Sequence, residues 1–247
     1  MKSSFAFLLA TAMLTPLACA ASQVVPPFVR AAIADPQRPA KDSATDAVRD
    51  PADTLAFAGV KPGMSIVEMF PGGGYYTRLL SDIVGPNGHV LGIENAGWKE
   101  AVSADQAMLR EPGRARVQMK AEPFGEMDTP RPVDLVWITQ NYHDLKVAEF
   151  GHVDIAAFNR KVFQALKPGG VYFILDHQAN PGTTLAQTGK LHRVEKAQVI
   201  KEVTAAGFKL VDEGTFLHRS DDDHTKPIFD LKGKTDQYAL KFIKPAN

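Results

Sequence analysis

Cysteine is almost missing from this 247-residue chain: Cys19 is the single one. A disulfide or a thiolate metal site therefore has no partner to form with. A surplus of either charge is missing as well, with Lys plus Arg at 28 and Asp plus Glu at 28. Such a balance offers no long-range field to gather polyanions, so nucleic acid is not expected as a partner. Long apolar runs are absent too. Phe5 to Leu14 is apolar but too short for a membrane span, and no other stretch approaches about 18 apolar residues. The chain also lacks the Gly-Lys-Ser/Thr ending of a phosphate-binding P-loop.

What is present begins with a leader pattern. Met1-Lys2-Ser3-Ser4 carries a positive charge, Phe5 to Leu14 follows, and Ala18-Cys19-Ala20 supplies small residues. This predicts a signal peptide over residues 1–21 and a periplasmic or secreted product, clear of the membrane after cleavage. A lipoprotein role for Cys19 ranks second, because Pro16 stands where such a signal wants an aliphatic residue. With 45% apolar residues, the remainder is long enough to build one core.

Residues 22–50, rich in Pro, Ala and Asp, are expected to form an extended N-terminal arm with a short helix and no chemistry. Asp50-Pro51-Ala52-Asp53 reads as an N-cap with proline at the first helical position, opening a helix through Ala58 and a domain over 51–247. Strands then alternate with helices: strand 64–70, helix 74–84, strand 89–94, helix 98–110, strand 116–120, strand 133–139, helix 154–166, strand 171–176, helix 195–206, and strands 208–213 and 238–244. Near-continuous apolar strands between helices indicate an α/β, doubly wound, mostly parallel sheet covered on both faces.

The most informative segment is Ile66-Val67-Glu68-Met69-Phe70-Pro71-Gly72-Gly73-Gly74-Tyr75-Tyr76-Thr77, a strand, a glycine turn and a helix start. Glycines without Cβ atoms let a ligand approach the backbone, and the helix aims free N–H groups at it. A second strand ends at Glu94, where a ribose diol would want an acceptor. These features suggest a nucleoside site. For a dinucleotide fingerprint Gly72 and Gly74 fit, but Thr77 takes the third glycine position and weakens that assignment. A glycine turn with no ligand is the plain alternative.

Several of these motifs, in order, resemble the class I S-adenosylmethionine-dependent methyltransferases. The matching residues are Glu68 with Gly72, Gly73 and Gly74, then Lys61-Pro62-Gly63-Met64, Glu94, Asp134-Leu135-Val136, Leu166-Lys167-Pro168-Gly169-Gly170 and Ala205-Ala206-Gly207-Phe208. More narrowly, Pro71 to Thr77, Asp222-Asp223-His224-Thr225 and Lys234-Thr235-Asp236-Gln237 resemble a group of exported bacterial predicted methyltransferases. Phe70 departs from the wider family, standing where many members have their first glycine. The resemblance implies a Rossmann-like seven-stranded sheet and S-adenosyl-L-methionine as cofactor. It implies that Glu68 orients the loop or meets the cofactor's amino group, that Gly72, Gly73 and Gly74 admit it, and that Glu94 holds the ribose. Tyr75 and Tyr76, just after the glycines, would wall the pocket or else pack as aromatic core, Glu122 would face the adenine, and Asn141 would complete the cofactor site. Glu122 reads equally as a solvated loop acid.

Ligands of a parallel sheet meet the carboxyl ends of its strands, so Gln140-Asn141-Tyr142-His143-Asp144 and His177-Gln178-Ala179-Asn180 are expected around a small-molecule methyl acceptor. His143 and His177 are the candidate bases, with Asp176 to orient either. A purely structural histidine is the alternative for each. Asp144, Asp176, His177 and Asn180 could instead ligate a cation, but they mix imidazole with carboxylate, and no metal is expected. Asp221-Asp222-Asp223-His224 lacks the spacing of an EF-hand. The remaining competitor is a non-catalytic nucleoside-binding protein.

Overall fold

A computed structural model describes residues 24–130, 132–151 and 153–246. The expected signal peptide lies outside the described residues. Seven strands form one sheet: β1 (Ser65–Met69), β2 (His89–Asn95), β3 (Val117–Glu122), β4 (Val133–Thr139), β5 (Leu166–His177), β6 (Lys209–Gly214) and β7 (Gln237–Ile243). Their order is β3-β2-β1-β4-β5-β7-β6, and only β7 runs antiparallel to its neighbours. The predicted doubly wound, mostly parallel sheet is therefore what forms.

The helices are α1 (Pro27–Ile33), α2 (Ala40–Ser43), α3 (Asp46–Arg49), α4 (Pro51–Ala58), α5 (Tyr75–Val84), α6 (Lys99–Met108), α7 (Ile155–Ala165), α8 (Leu185–Leu191) and α9 (Lys196–Ala205). Successive strand residues point to opposite faces, so the apolar runs feed two cores. Ile66, Leu135, Trp137 and Phe173 join Leu55, Tyr76 and Leu79 on one face. Val67, Met69, Val136, Ile138 and Ile174 join Phe158, Val162 and Val199 on the other. Among the described residues no helix is long and apolar enough to cross a membrane.

Three expectations need correction. In place of an extended arm with one short helix, residues 24–50 fold into α1, α2 and α3, and α1 packs on α4 and α5. Polar latches make this possible, namely Arg38 to Asp46 at 2.8 Å, Arg78 to Asp42 at 3.0 Å, and the Tyr75 hydroxyl donating to Asp46 at 2.6 Å. Next, β5 begins at Leu166 rather than 171, because Leu166 pairs with Val133 and the intervening Lys-Pro-Gly-Gly turn is absorbed as an irregularity before Val171 pairs with Leu135. Finally, α8 was not anticipated, although Thr184 and Gln187 close a reciprocal capping box at its start.

Candidate functional site

The strand order reverses between β1 and β4, and the crevice at such a switch point is where open α/β sheets bind ligands. The glycine turn leaves β1 at that crevice. Gly72, Gly73 and Gly74 have φ of 59°, 92° and 87°. At Gly72 an added Cβ would meet only the Phe70 carbonyl oxygen, at 3.9 Å, so the turn is open there. At Gly74 it would fall 2.8 Å from Met108 Cγ, so the third glycine serves the packing of α5 on α6. Phe70 itself has φ 57°, doing with a side chain what a glycine does freely. Such strain in a bulky residue persists only where the surroundings enforce it, and it tends to mark functional sites.

Around this turn stand three buried carboxylates. Glu94 accepts from the Gly72 N–H at 3.0 Å and the Asn95 N–H at 2.8 Å. Asp105 accepts from the Gly73 N–H at 2.8 Å, and its Oδ2 is buried without a hydrogen-bond partner. Glu68 accepts from the Thr77 hydroxyl at 2.6 Å. Thr77, at the position of a dinucleotide site's third glycine, thus orients the acid at the strand's end. Burial pushes Glu68 up to about 8, against the Thr77 hydrogen bond and with help from the Asp105 and Glu94 charges. Burial likewise raises Glu94 to about 7, opposed by its two backbone donors. Asp105 is raised for the same first reason.

Two features follow from this wiring. The N–H groups of Gly72 and Gly73 that a pyrophosphate would use are already taken by carboxylates, and those carboxylates would repel it. The one cation against the loop, Arg78, donates to the Gly73 carbonyl at 2.9 Å and is already paired with Asp42 and Glu111. Sequence reasoning missed Asp105, which lies on α6 with no motif around it, as well as the neighbouring rings. Phe70, Trp98, Phe124 and Phe150 lie with ring centroids 5.3–5.8 Å apart, beyond the ends of β1, β2 and β3 and after β4.

The other predicted cofactor residues are distributed more widely. The Tyr76 hydroxyl donates to the Arg49 carbonyl at 3.2 Å, and its ring packs on Trp137 at 4.9 Å. This corrects its placement: Tyr76 seats the N-terminal helices rather than walling the glycine turn. Glu122 accepts from the Asp128 N–H at 3.2 Å and pairs with Lys120 at 3.6 Å, the local engagement of a loop acid. The Asn141 amide donates to Asp144 at 2.8 Å, on the acceptor side of the crevice.

That side is a buried network. His143 Nδ1 lies 2.7 Å from Asp176 Oδ1, and its Nε2 lies 3.2 Å from Asp144 Oδ1. Asp176 also receives the backbone N–H groups of His143 and His177, at 2.8 and 2.7 Å. Both ring nitrogens of His143 thus face carboxylates. Burial alone would lower its pKa, but Asp176 and Asp144 lift it to about 10. His177 Nδ1 lies 2.7 Å from the Thr235 hydroxyl, and burial, then the His143 and Arg193 charges, hold it well below its ordinary value. His192, at the end of α8, reaches Asp144 at 3.1 Å and was not foreseen.

The Asp222 to Thr225 and Lys234 to Gln237 motifs lie behind this network. Asp222 takes Arg193 at 2.9 Å and the Asp236 N–H at 2.7 Å, while Asp236 lies 2.8 Å from both His218 and His224. The Gln140 amide donates to Gln237 at 2.8 Å, tying the end of β4 to β7. Asp221-Asp222-Asp223-His224 is therefore a brace for the ends of β5 and β7.

Solved structures share this architecture at low identity. An S-adenosylmethionine-dependent methyltransferase from Aquifex aeolicus is 18% identical, with 83% of this chain and 98% of that chain covered and a TM-score of 0.58. An S-adenosylmethionine-dependent methyltransferase from Mesorhizobium loti gives 16%, 82%, 99% and 0.54 in the same order. The [4+2]-cyclase SpnF gives 18%, 84%, 83% and 0.59. Curated proteins yield no match. S-Adenosylmethionine, the cofactor implied by the sequence, is the cofactor of this class of protein. Residues 60–233 match the family model for a methyltransferase domain, and the chain belongs to that family.

Proposed function

We propose that the protein transfers a methyl group from S-adenosylmethionine to a small-molecule acceptor. The observation that carries this reading is the ring of Glu68, Glu94 and Asp105 around a glycine turn whose N–H groups are already occupied. Three desolvated acidic side chains, beside a single guanidinium that Asp42 and Glu111 already pair, suit a ligand bearing a sulfonium and an ammonium, and they oppose one bearing phosphates. Glu94 and Asp105 would hold the ribose and amino groups, Glu68 would set the loop, and Phe70, Trp98 and Phe124 would supply aromatic faces for the adenine. When bound, the cofactor supplies an electrophilic methyl group for in-line displacement.

The chain's own contribution is positioning. The segments after β4 and β5 hold the acceptor, their backbone fixed by Asp176 and by the Gln140–Gln237 bond. A cavity of about 710 Å³ opens beside them, with Leu145, Ala148, Val153, Ile155, Leu185 and Ala186 among its lining residues. Its size and largely apolar wall favour a small molecule over a polymer. The leader-like N-terminus and the Asp222 to Thr225 and Lys234 to Gln237 motifs support placement among exported bacterial proteins of this family.

Thermal melts with S-adenosylmethionine, S-adenosylhomocysteine, adenosine and NAD test the cofactor. Each sulfur compound at 100 times its dissociation constant is expected to add about 2.7 kcal/mol to stability, and NAD nothing. Absence of a shift with both sulfur compounds would overturn the reading. The engagement of both His143 nitrogens favours one alternative, a nucleoside-binding protein without transfer. Binding of both sulfur compounds without turnover across thiol, amine and hydroxyl acceptors would support it.

A further inference from the structure

We propose that His143 Nε2, Asp144 Oδ1 and His192 Nδ1 form a three-point site for a zinc-class divalent cation on the acceptor side of the crevice. The three donor atoms lie within 4.8 Å of one another. Two of the edges, His143 to Asp144 at 3.2 Å and His192 to Asp144 at 3.1 Å, share the single oxygen Oδ1. A tetrahedral ion with bonds of about 2.0–2.1 Å separates its ligand atoms by roughly 3.3 Å, so these two edges already have nearly the length such an ion needs, and the imidazole–imidazole edge lies within 4.8 Å.

Each ligand is also held from behind. His143 Nδ1 rests on Asp176 at 2.7 Å, the carboxylate–histidine arrangement that turns the opposite nitrogen towards a metal, and a cation at Nε2 takes the place of the proton that Nε2 shares with Asp144, releasing it to solvent. Asp144 Oδ2 accepts from the Asn141 amide at 2.8 Å, which leaves Oδ1 for the shared point. His192 is presented by a left-handed residue, φ 53°, that ends α8. A non-glycine residue in that region carries a conformational cost, which here aims an imidazole at Asp144. Phe150 and Phe229 flank the His192 ring, with centroids 6.2 and 4.8 Å away.

The donor set decides the metal. Two imidazoles with one carboxylate suit zinc and its neighbours, whereas magnesium and calcium want oxygen throughout. Three protein ligands leave a fourth position open, the pattern of a catalytic rather than a structural zinc site. The sequence alone pointed to a different and disfavoured set. Of that set, Asp176 is the support behind His143, and His177 and Asn180 are committed to Thr235 and to the Asp223 carbonyl. Cation binding stands apart from the proposed methyl transfer. Only a role for the open position, in holding an acceptor's thiol or hydroxyl, rests on it.

The test uses tag-free, chelator-stripped protein titrated with cobalt and then zinc. One equivalent of cobalt is expected to give the intense visible bands of a four- or five-coordinate ion, and zinc to abolish them. Asp144→Asn and His192→Asn, the latter tolerant of the left-handed backbone, should each weaken binding at least tenfold, and Asp176→Asn by roughly 10–100-fold. His218→Asn should change nothing. Circular dichroism checks folding, and S-adenosylhomocysteine melts on the same samples score the methyltransferase reading separately. X-ray absorption of the zinc-loaded parent, which needs no variant, should count two imidazoles. Less than one equivalent bound, fewer than two imidazoles, or unaltered affinity in folded Asp144→Asn and His192→Asn would each overturn the site.

Discussion

Gly74 has φ 87° and no room for a Cβ beside Met108. Gly74→Ala should therefore cost roughly 1–3 kcal/mol in urea unfolding, because strain and overlap add, and should weaken cofactor binding alongside. Glu68 makes a pH prediction. Its folded pKa, about 8, lies above the ordinary 4.5, so the folded state keeps a proton that the unfolded chain releases. The stability this group contributes is complete below about pH 4.5 and is lost as pH rises through 8. Glu68→Gln keeps an acceptor for Thr77 and removes the titration. Unfolding free energies from urea titrations at pH 5 to 8 should fall less for the variant, by more than about 1 kcal/mol across the range. Equal slopes would show that Glu68 is ionised throughout.

At the scale of elements, the N-terminal helices are the part that charge pairing holds. Arg78 on α5 is 3% exposed and joins Asp42 of α2 at 3.0 Å, Glu111 beyond α6 at 2.7 Å, and the Gly73 carbonyl at 2.9 Å. Asp42→Ala removes one partner of a buried pair, a change that costs about 3–5 kcal/mol in comparable cases. Hydrogen exchange should quicken first in residues 27–49, and cofactor affinity should fall, since the same guanidinium braces the glycine turn. Unchanged exchange there would mean that Arg38 and Tyr75 suffice as anchors. The sequence shows this only in part. Residues 22–50 carry one short apolar period, Val25, Phe28, Val29, Ala32 and Ile33, which packs α1 into the core, whereas α2 and α3 are four residues each and are held by Arg38, Asp42 and Asp46.

Across the whole molecule, what was legible follows the strength of the physical signal. Strands β1, β4 and β5 were legible because burial on both faces writes continuous apolar runs, and α5 because a glycine turn precedes it. Glu68 and Glu94 were legible because each ends such a strand. Asp105 and His192 were not, since each reaches the crevice from a helix remote in sequence, where only the fold supplies the neighbour. The capping box Thr184 to Gln187 could have revealed α8, although not the direction of its final histidine. Thr77 departs from the dinucleotide motif in the sequence, and its hydroxyl finds a partner only in the fold, in Glu68.

The aromatic group at the crevice carries one more consequence. The chain has two tryptophans. Trp137 is wholly buried between Tyr76 and Phe173, whereas Trp98 stands among Phe70, Phe124 and Phe150. Replacing Trp137 by Phe would leave a single tryptophan, excited apart from the tyrosines at long wavelength, at the place assigned to the adenine. Its emission wavelength and intensity would then follow occupancy directly, so that an unlabelled sample in an ordinary fluorometer reports when a nucleoside arrives and when it leaves.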